Sequence, residues 1–327
     1  MLVRMVLSGV LAAGLLAGAA GLARAQSYPD KPIKLVVPFP PGGATDTTAR
    51  LVAKRLQEGL GQTVVIENVG GASGNIALGR VARAAPDGYT VVLGSWPTHV
   101  LNAAIFNRPY DSQTDFEPVG LVAAQPLFIV GKKTLAPGNL TELIDWLKAN
   151  PGRATQGTAG SGGASHVAGV FFQTATGTRF QFVPYRGAAP AMQDLLAGQI
   201  DLMIDLAASA MPQLRAGTIK AYAVTSKTRL AAVPDVPTVD EAGLPGFYVS
   251  SWHAIWAPKA TPKDVIAKLN AATVEALADP QVRQRLVAAG QDVYPSDQQT
   301  PDALRAYQAA EIEKWWPIIK AANIKAE

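Results

Sequence analysis

Residues 38–47 read Pro-Phe-Pro-Pro-Gly-Gly-Ala-Thr-Asp-Thr, between an apolar run at 33–37 and an amphipathic run at 49–60. Strand, glycine turn and helix start in that order make an anion-binding corner. Gly42 and Gly43 let the backbone approach a ligand, and the first-turn N–H groups of a helix have no partners inside it. Those amides point outward with the positive end of the helix dipole behind them, which suits a carboxylate or phosphate. A second corner, Gly-Thr-Ala-Gly-Ser-Gly-Gly-Ala-Ser at 157–165, also precedes a helix. Two such corners in one chain predict a two-lobed protein that clamps a small anion.

Enzyme chemistry finds no residues to carry it. The sequence has no G-x-S-x-G elbow, H-E-x-x-H or EF-hand loop, and no cysteine. Ser161 or Ser165 beside His166 is conceivable as a nucleophile–base pair, but neighbours at a helix start rarely face each other. The second corner lacks the Gly-Lys-Ser/Thr of a phosphate loop and the downstream acid of a dinucleotide fingerprint. His99 and His253 have no partners at metal-ligand spacing. The expectation is no catalytic residue, no metal and no cofactor.

Around the corners, several side chains have a claim on a ligand. Asp46 would repel an anion at close range, so it is expected to accept helix N–H bonds or hold a bridging water. An ordinary N-cap at Thr45 or Asp46 is the plainer alternative for that loop. Ser95, Trp96 and Thr98 follow a strand at 89–93, where parallel sheets place ligand contacts. Trp96 either walls the pocket or plugs the edge of the lobe. Tyr185 and Asp205 end strands of the second half and have the same claim. His166 at a helix start is expected to be neutral and hydrogen-bonded between loop and helix. Trp252, Trp256, Trp315 and Trp316 read as core.

The elements that position these residues alternate. Strands at 33–37, 64–67 and 89–93 with helices at 47–60 and 75–84 make a βαβαβ unit, which predicts an open parallel sheet. An apolar segment at 119–130 could cross between lobes. Helices at 140–149, 166–176, 190–197 and 210–215 and strands at 182–185, 202–204 and 221–224 follow, and Asn150-Pro151-Gly152 is a stop signal. Beyond Trp252 the chain reads as mostly helix, at 262–278, 281–289 and 300–322, a tail expected to return to the first lobe. The chain then crosses twice, near residues 126 and 247, and two crossings make a hinge. The expected division is 26–126 plus 247–327 for lobe 1 and 127–246 for lobe 2.

Residues 1–25 carry a positive start (Arg4), an apolar stretch and an Ala23-Arg24-Ala25 cleavage site, which predicts an export signal and a periplasmic mature protein from Gln26. Some 300 mature residues, roughly, exceed one comfortable core, in keeping with two lobes. Removing 1–25 takes away Arg4 and Arg24 and no acid, leaving 27 basic against 25 acidic residues. That balance, with no basic run or nucleic-acid motif, argues against nucleic-acid binding.

An ordered set of strings runs through the mature chain. The first half has Tyr28-Pro-x-Lys-Pro-Ile33, Pro38-Phe-Pro-Pro-Gly-Gly43 with Asp46, Glu67-Asn68, Gly71-Ala72, Gly74-Asn75 and Ala85-Pro-Asp-Gly-Tyr-Thr90. The second has His166, Val183-Pro-Tyr-Arg-Gly187, Ala197-Gly-Gln-Ile-Asp201, Ala216-Gly217, Val236-Pro-Thr238 and Glu241-Ala-Gly243. Together they resemble the Bug extracytoplasmic solute receptors, the TctC-type binding subunits of tripartite tricarboxylate transporters. The resemblance implies a periplasmic-binding-protein (Venus flytrap) fold, two α/β lobes with a ligand cleft between them. It implies capture of a small carboxylate, dicarboxylate, tricarboxylate or aromatic acid among the candidates, by a monomer. Delivery would be to membrane transporter subunits driven by an ion gradient; service to an ABC transporter or a sensor kinase is the alternative. By matched position, Phe39, Gly42, Gly43, Thr45 and Asp46 would line one wall and Gly160, Ser161, Gly162, Gly163 and Ala164 the other. Family members often carry serines where this chain has Gly163 and Ala164. Neither loop holds Arg or Lys, so neutralisation is expected from backbone dipoles.

Overall fold

A computed structural model describes residues 28–324; the export segment at 1–25 lies outside the described residues. The first half opens as expected. Strand β1 (Ile33–Val37) leads to helix α1 (Ala44–Leu60), β2 (Val64–Asn68), α2 (Asn75–Ala82) and β3 (Thr90–Ser95). β1 pairs in parallel with both β2 and β3. Its Ile33, Leu35, Val36 and Val37 are all buried, the continuous apolar run of a strand covered on both faces. A single π-turn at Pro97–Leu101 and the short α3 (Asn102–Ile105) follow β3.

Strand β4 (Phe116–Lys132) is 17 residues long and serves both halves of the sheet. The second half contributes α4 (Leu140–Ala149), β5 (Thr155–Thr158), α5 (Ala164–Thr176), β6 (Gln181–Pro184), α6 (Ala188–Leu196), β7 (Leu202–Leu206), α7 (Ala207–Arg215) and β8 (Ile219–Val224). β5 lies parallel to β6 and β7, while β7 and β8 run antiparallel to the Leu127–Lys132 end of β4. The Phe116–Pro126 end of β4 instead pairs with β9 (Ser250–Pro258). Helices α8 (Lys263–Ala278) and α9 (Pro280–Ala288), the two-residue strand β10 (Asp292–Val293) and α10 (Pro301–Ala321) complete the chain.

One expectation is corrected here. The sheet is mixed rather than parallel, because β9 is inserted antiparallel between β3 and β4. The three helices expected beyond Trp252 form, and β9, which precedes them, is a strand to which the sequence assigns no element. Trp252, Ala254, Trp256 face one core and Ile255, Ala257 the other, and so short an apolar run carries no period that separates strand from helix. The helical tail does return to the first half: Val265, Ile266 and Leu269 of α8 share a core with Ala49, Val52 and Leu56 of α1. Trp315 of α10 packs with Trp96 and Phe171. Trp252, Trp256 and Trp315 are buried as read, and Trp316 is partly buried.

Burial holds two histidines neutral. His99 stacks on Trp256 with ring centroids 3.6 Å apart, and burial, with Arg108 nearby, lowers its pKa well below the ordinary value. His253 is lowered to about 4 by burial. The unfolded chain therefore takes up protons that the folded chain refuses, from about pH 6.5 down to about 4 for His253. Stability is full above that window and is lost as pH falls through it. Urea unfolding of wild type and His253→Gln at neutral and mildly acid pH checks this: the variant should lose less on acidification. Parallel losses in the two proteins would contradict the assignment.

Candidate ligand-binding cleft

The two glycine corners are built alike. The N-cap of α1 is Gly43 (φ −78°, ψ 173°) and that of α5 is Gly163 (φ −75°, ψ 174°), neither with a side-chain cap. Thr45 and Asp46 are therefore inside α1, not at its cap, and the first-turn amides of both helices are left for a ligand. The residue before each cap has positive φ, +87° at Gly42 and +74° at Gly162, a conformation that favours glycine.

In each corner that glycine is braced by the residue four further on. The Gly42 amide donates to Asp46 Oδ2 and the Gly162 amide to His166 Nδ1, both at 2.9 Å. His166 thus spans loop and helix as read, with Nδ1 as acceptor. The Asp46 carboxylate also accepts from Arg50 Nε and Asn68 Nδ2 at 2.9 Å. Burial works against its charge, but Arg50, the Gly42 amide and Asn68 outweigh it and lower its pKa. Its partners are a loop amide and two side chains rather than the helix N–H groups expected. Asn68 donates in addition to the Phe39 carbonyl at 3.1 Å, tying the corner to β2.

Both corners line one cavity of about 590 Å³. Phe39, Gly43, Thr45, Ser95, Gly160, Ser161, Gly162, Gly163 and Ala164 all contribute to its wall. Gly42 and Asp205 line a neighbouring chamber of about 570 Å³. A Cβ at Gly162 would sit 3.2 Å from Ile105, so the second corner rests against α3 of the other half.

Three candidates stand elsewhere. Asp46 is buried behind the loop as its brace. Trp96 is fully buried, edge-on to Trp315 at 4.8 Å, because the chain turns after Ser95 and sends the indole into the core. Tyr185 turns toward α6, donating to Asp194 Oδ2 at 2.6 Å; burial, then Asp194, pushes its pKa up to about 12.

Other wall residues escaped the sequence reading. Ser73, Asn102, Ser251, His253 and Arg186 line the same cavity. Thr45 Oγ1 lies 3.1 Å from His253 Nε2, joining α1 to β9. Arg186, an exposed residue in the turn after β6, also lines the cavity, so an arginine stands at its wall outside either glycine loop. The string Tyr185-Arg186-Gly187 was the signal that could have found it. Among the described residues no group of three His, Cys, Asp or Glu side chains could hold a metal ion, and no helix is long and apolar enough to cross a membrane.

Two α/β halves with a ligand-sized cavity between opposed helix N-termini define a solute-binding protein of the periplasmic-receptor class. A family model described as the tripartite tricarboxylate transporter family receptor, TctC, matches residues 48–324, and the chain belongs to that family. It is 43% identical over 303 residues to a UPF0065 protein from the TAR-I ttuE-ttuC' intergenic region of Agrobacterium vitis, covering 92% of this chain and 88% of that protein. The solved periplasmic binding protein BugD superposes with a TM-score of 0.80 at 41% identity, over 91% of this chain and all (100%) of that one. MatC of Rhodopseudomonas palustris with bound malate gives a TM-score of 0.80 at 38% identity, over 89% of this chain and 100% of that one.

Proposed function

We propose that the protein is a periplasmic receptor that captures a small carboxylated solute and delivers it to a tripartite tricarboxylate-type secondary transporter. The observation that carries this reading is the pair of helix N-termini, each capped by glycine without a side-chain partner, on one cavity. A carboxylate there would accept charge-assisted hydrogen bonds from both corners, with Arg186 adding a guanidinium. Bound malate in MatC is in keeping with such a ligand. Export by cleavage after Ala25 is part of the same reading. The protein is not an enzyme in this account: it returns its ligand unaltered.

Closure follows from the lobes. We divide the chain into 26–126 plus 247–327 and 127–246, a division supported by the change of partners along β4 between Pro126 and Leu127. Thr225 Oγ1 lies 3.0 Å from the Leu127 carbonyl and 2.6 Å from that of Val249, fastening both crossings at one point. Ligand favours the closed form because only that form presents both corners, the differential affinity a conformational shift requires.

Thermal-shift screening of the mature protein against carboxylic acids tests the reading. A true ligand at a hundred times its Kd stabilises the folded state by about 2.7 kcal/mol. Recovery of an altered molecule would contradict the receptor reading. For the partner, vesicles bearing the transporter subunits should take up the acid under an ion gradient without ATP. Arg186→Gln should weaken binding only about three- to tenfold, because an exposed charge is screened. It should also flatten the salt dependence, which titration calorimetry at two ionic strengths measures.

A further inference from the structure

The cleft does not end at the cavity between the corners. The neighbouring chamber shares Gly43, Ala44, Ala159, Ala164, Ala188 and Leu206 with it and extends along α6 and α7. Apart from Leu206, the boundary between the two is glycine and alanine, so chain atoms of a ligand can lie against it. Beyond that boundary the wall is Met192 and Leu196 with Gln193, Ser209 and Gln213.

The chambers differ in charge. First-turn residues of α1 and α5 line both chambers, and those of α6 and α7 reach the second, so the difference lies in the side chains: Arg186 lines the first chamber only. In the second, Asp205 is the one ionisable side chain of the wall. Asp205 ends β7, is 2% exposed, and receives a hydrogen bond from Ser209 Oγ. No salt bridge to it occurs among the described residues. Burial raises its pKa, with Ser209 and the Leu206 amide working the other way. A buried carboxyl without a cation is costly to ionise, and an incoming ammonium would remove that cost. A second carboxylate placed there would meet the Asp205 carboxyl and no cationic side chain.

We infer that the ligand is an elongated zwitterion, its carboxylate in the first chamber and an ammonium group in the second, received by Asp205 and Ser209. This rests on the carboxylate-receptor reading above and names the ligand class for it. Asp205 thereby acts as a specificity residue that selects against diacids of the same length.

Calorimetry of the wild-type protein with hexanoate, 6-hydroxyhexanoate, adipate and 6-aminohexanoate tests it, and the matched four- and eight-carbon series covers ligand length. The amino acid of at least one length should bind about tenfold or more tighter than its diacid. Asp205→Asn should bring that ratio close to one. Diacids or hydroxy acids binding as tightly as amino acids at every length overturn the inference while leaving the carboxylate reading intact. An unchanged ratio in folded Asp205→Asn does the same. Should no acid of any series bind while an aromatic acid or a tricarboxylate does, the inference falls and the carboxylate reading stands; should those fail as well, both fall. If Asp205→Asn does not fold, the wild-type ranking decides alone.

Discussion

Ala44→Pro and Ala164→Pro should each weaken carboxylate binding about ten- to a hundredfold while leaving the fold intact, the loss of one charge-assisted hydrogen bond worth about 1.5–3 kcal/mol. Both residues are the first of their helices, and both line the cavity. Proline is well tolerated at that position, since the missing N–H has no helical acceptor. The preceding Gly43 and Gly163 already have the extended backbone that a following proline demands. The substitution therefore removes a ligand donor and little else. Ala44→Val adds bulk but keeps the amide, and it should lose much less. Equal losses for Ala44→Val and Ala44→Pro, measured by calorimetry, would mean that shape rather than the amide holds the ligand.

Gly94→Ala should destabilise the protein at the upper end of overpacking costs, about 3 kcal/mol. A Cβ at Gly94 would stand 2.2 Å from His99 Cε1 and 2.8 Å from Trp256 Cζ3. His99 cannot swing aside. It is fully buried, stacked on Trp256, and Phe116 packs edge-on to it at 5.3 Å. Gly94 lies in β3 one residue before Ser95, so the same packing sets where that strand delivers its residues to the cleft. Urea unfolding measures the loss, and adding His99→Ala should recover part of it. A single variant within about 0.5 kcal/mol of wild type would show that this layer yields more easily than its geometry implies.

The parts of the site legible in the sequence were those encoded locally. Strand, glycines and helix are contiguous at 33–60, so the first corner could be read directly; at the second the glycines and the helix are legible, whereas the four-residue strand β5 before them is too short to announce itself. What escaped is contributed from a distance. His253 and Ser251 reach the cavity because β9 is threaded between β3 and β4, and no local pattern announces that pairing. Arg186 sits in the turn after β6, outside either glycine loop, and only the sheet order brings that turn beside them. Trp96 is undecided by the sequence for a related reason. It follows the right strand, but the π-turn that begins at Pro97 turns the backbone and buries the indole. Asp46 was rightly doubted as an anion contact, yet its partners, Arg50 and Asn68, lie one helical turn and one strand away. The long strand β4 was visible as an apolar run, whereas its change of partner at Leu127 depends on segments more than seventy residues later.

The central claim is that amides at two opposed helix N-termini hold the carboxylate. A crystal structure of the mature protein with its tightest carboxylic acid tests it most directly. The account expects carboxylate oxygens within hydrogen-bond distance of amides from both the Gly43–Thr45 and the Gly163–Ser165 segments. A ligand bound in the cleft through Arg186 alone, with both sets of amides facing water, would contradict it.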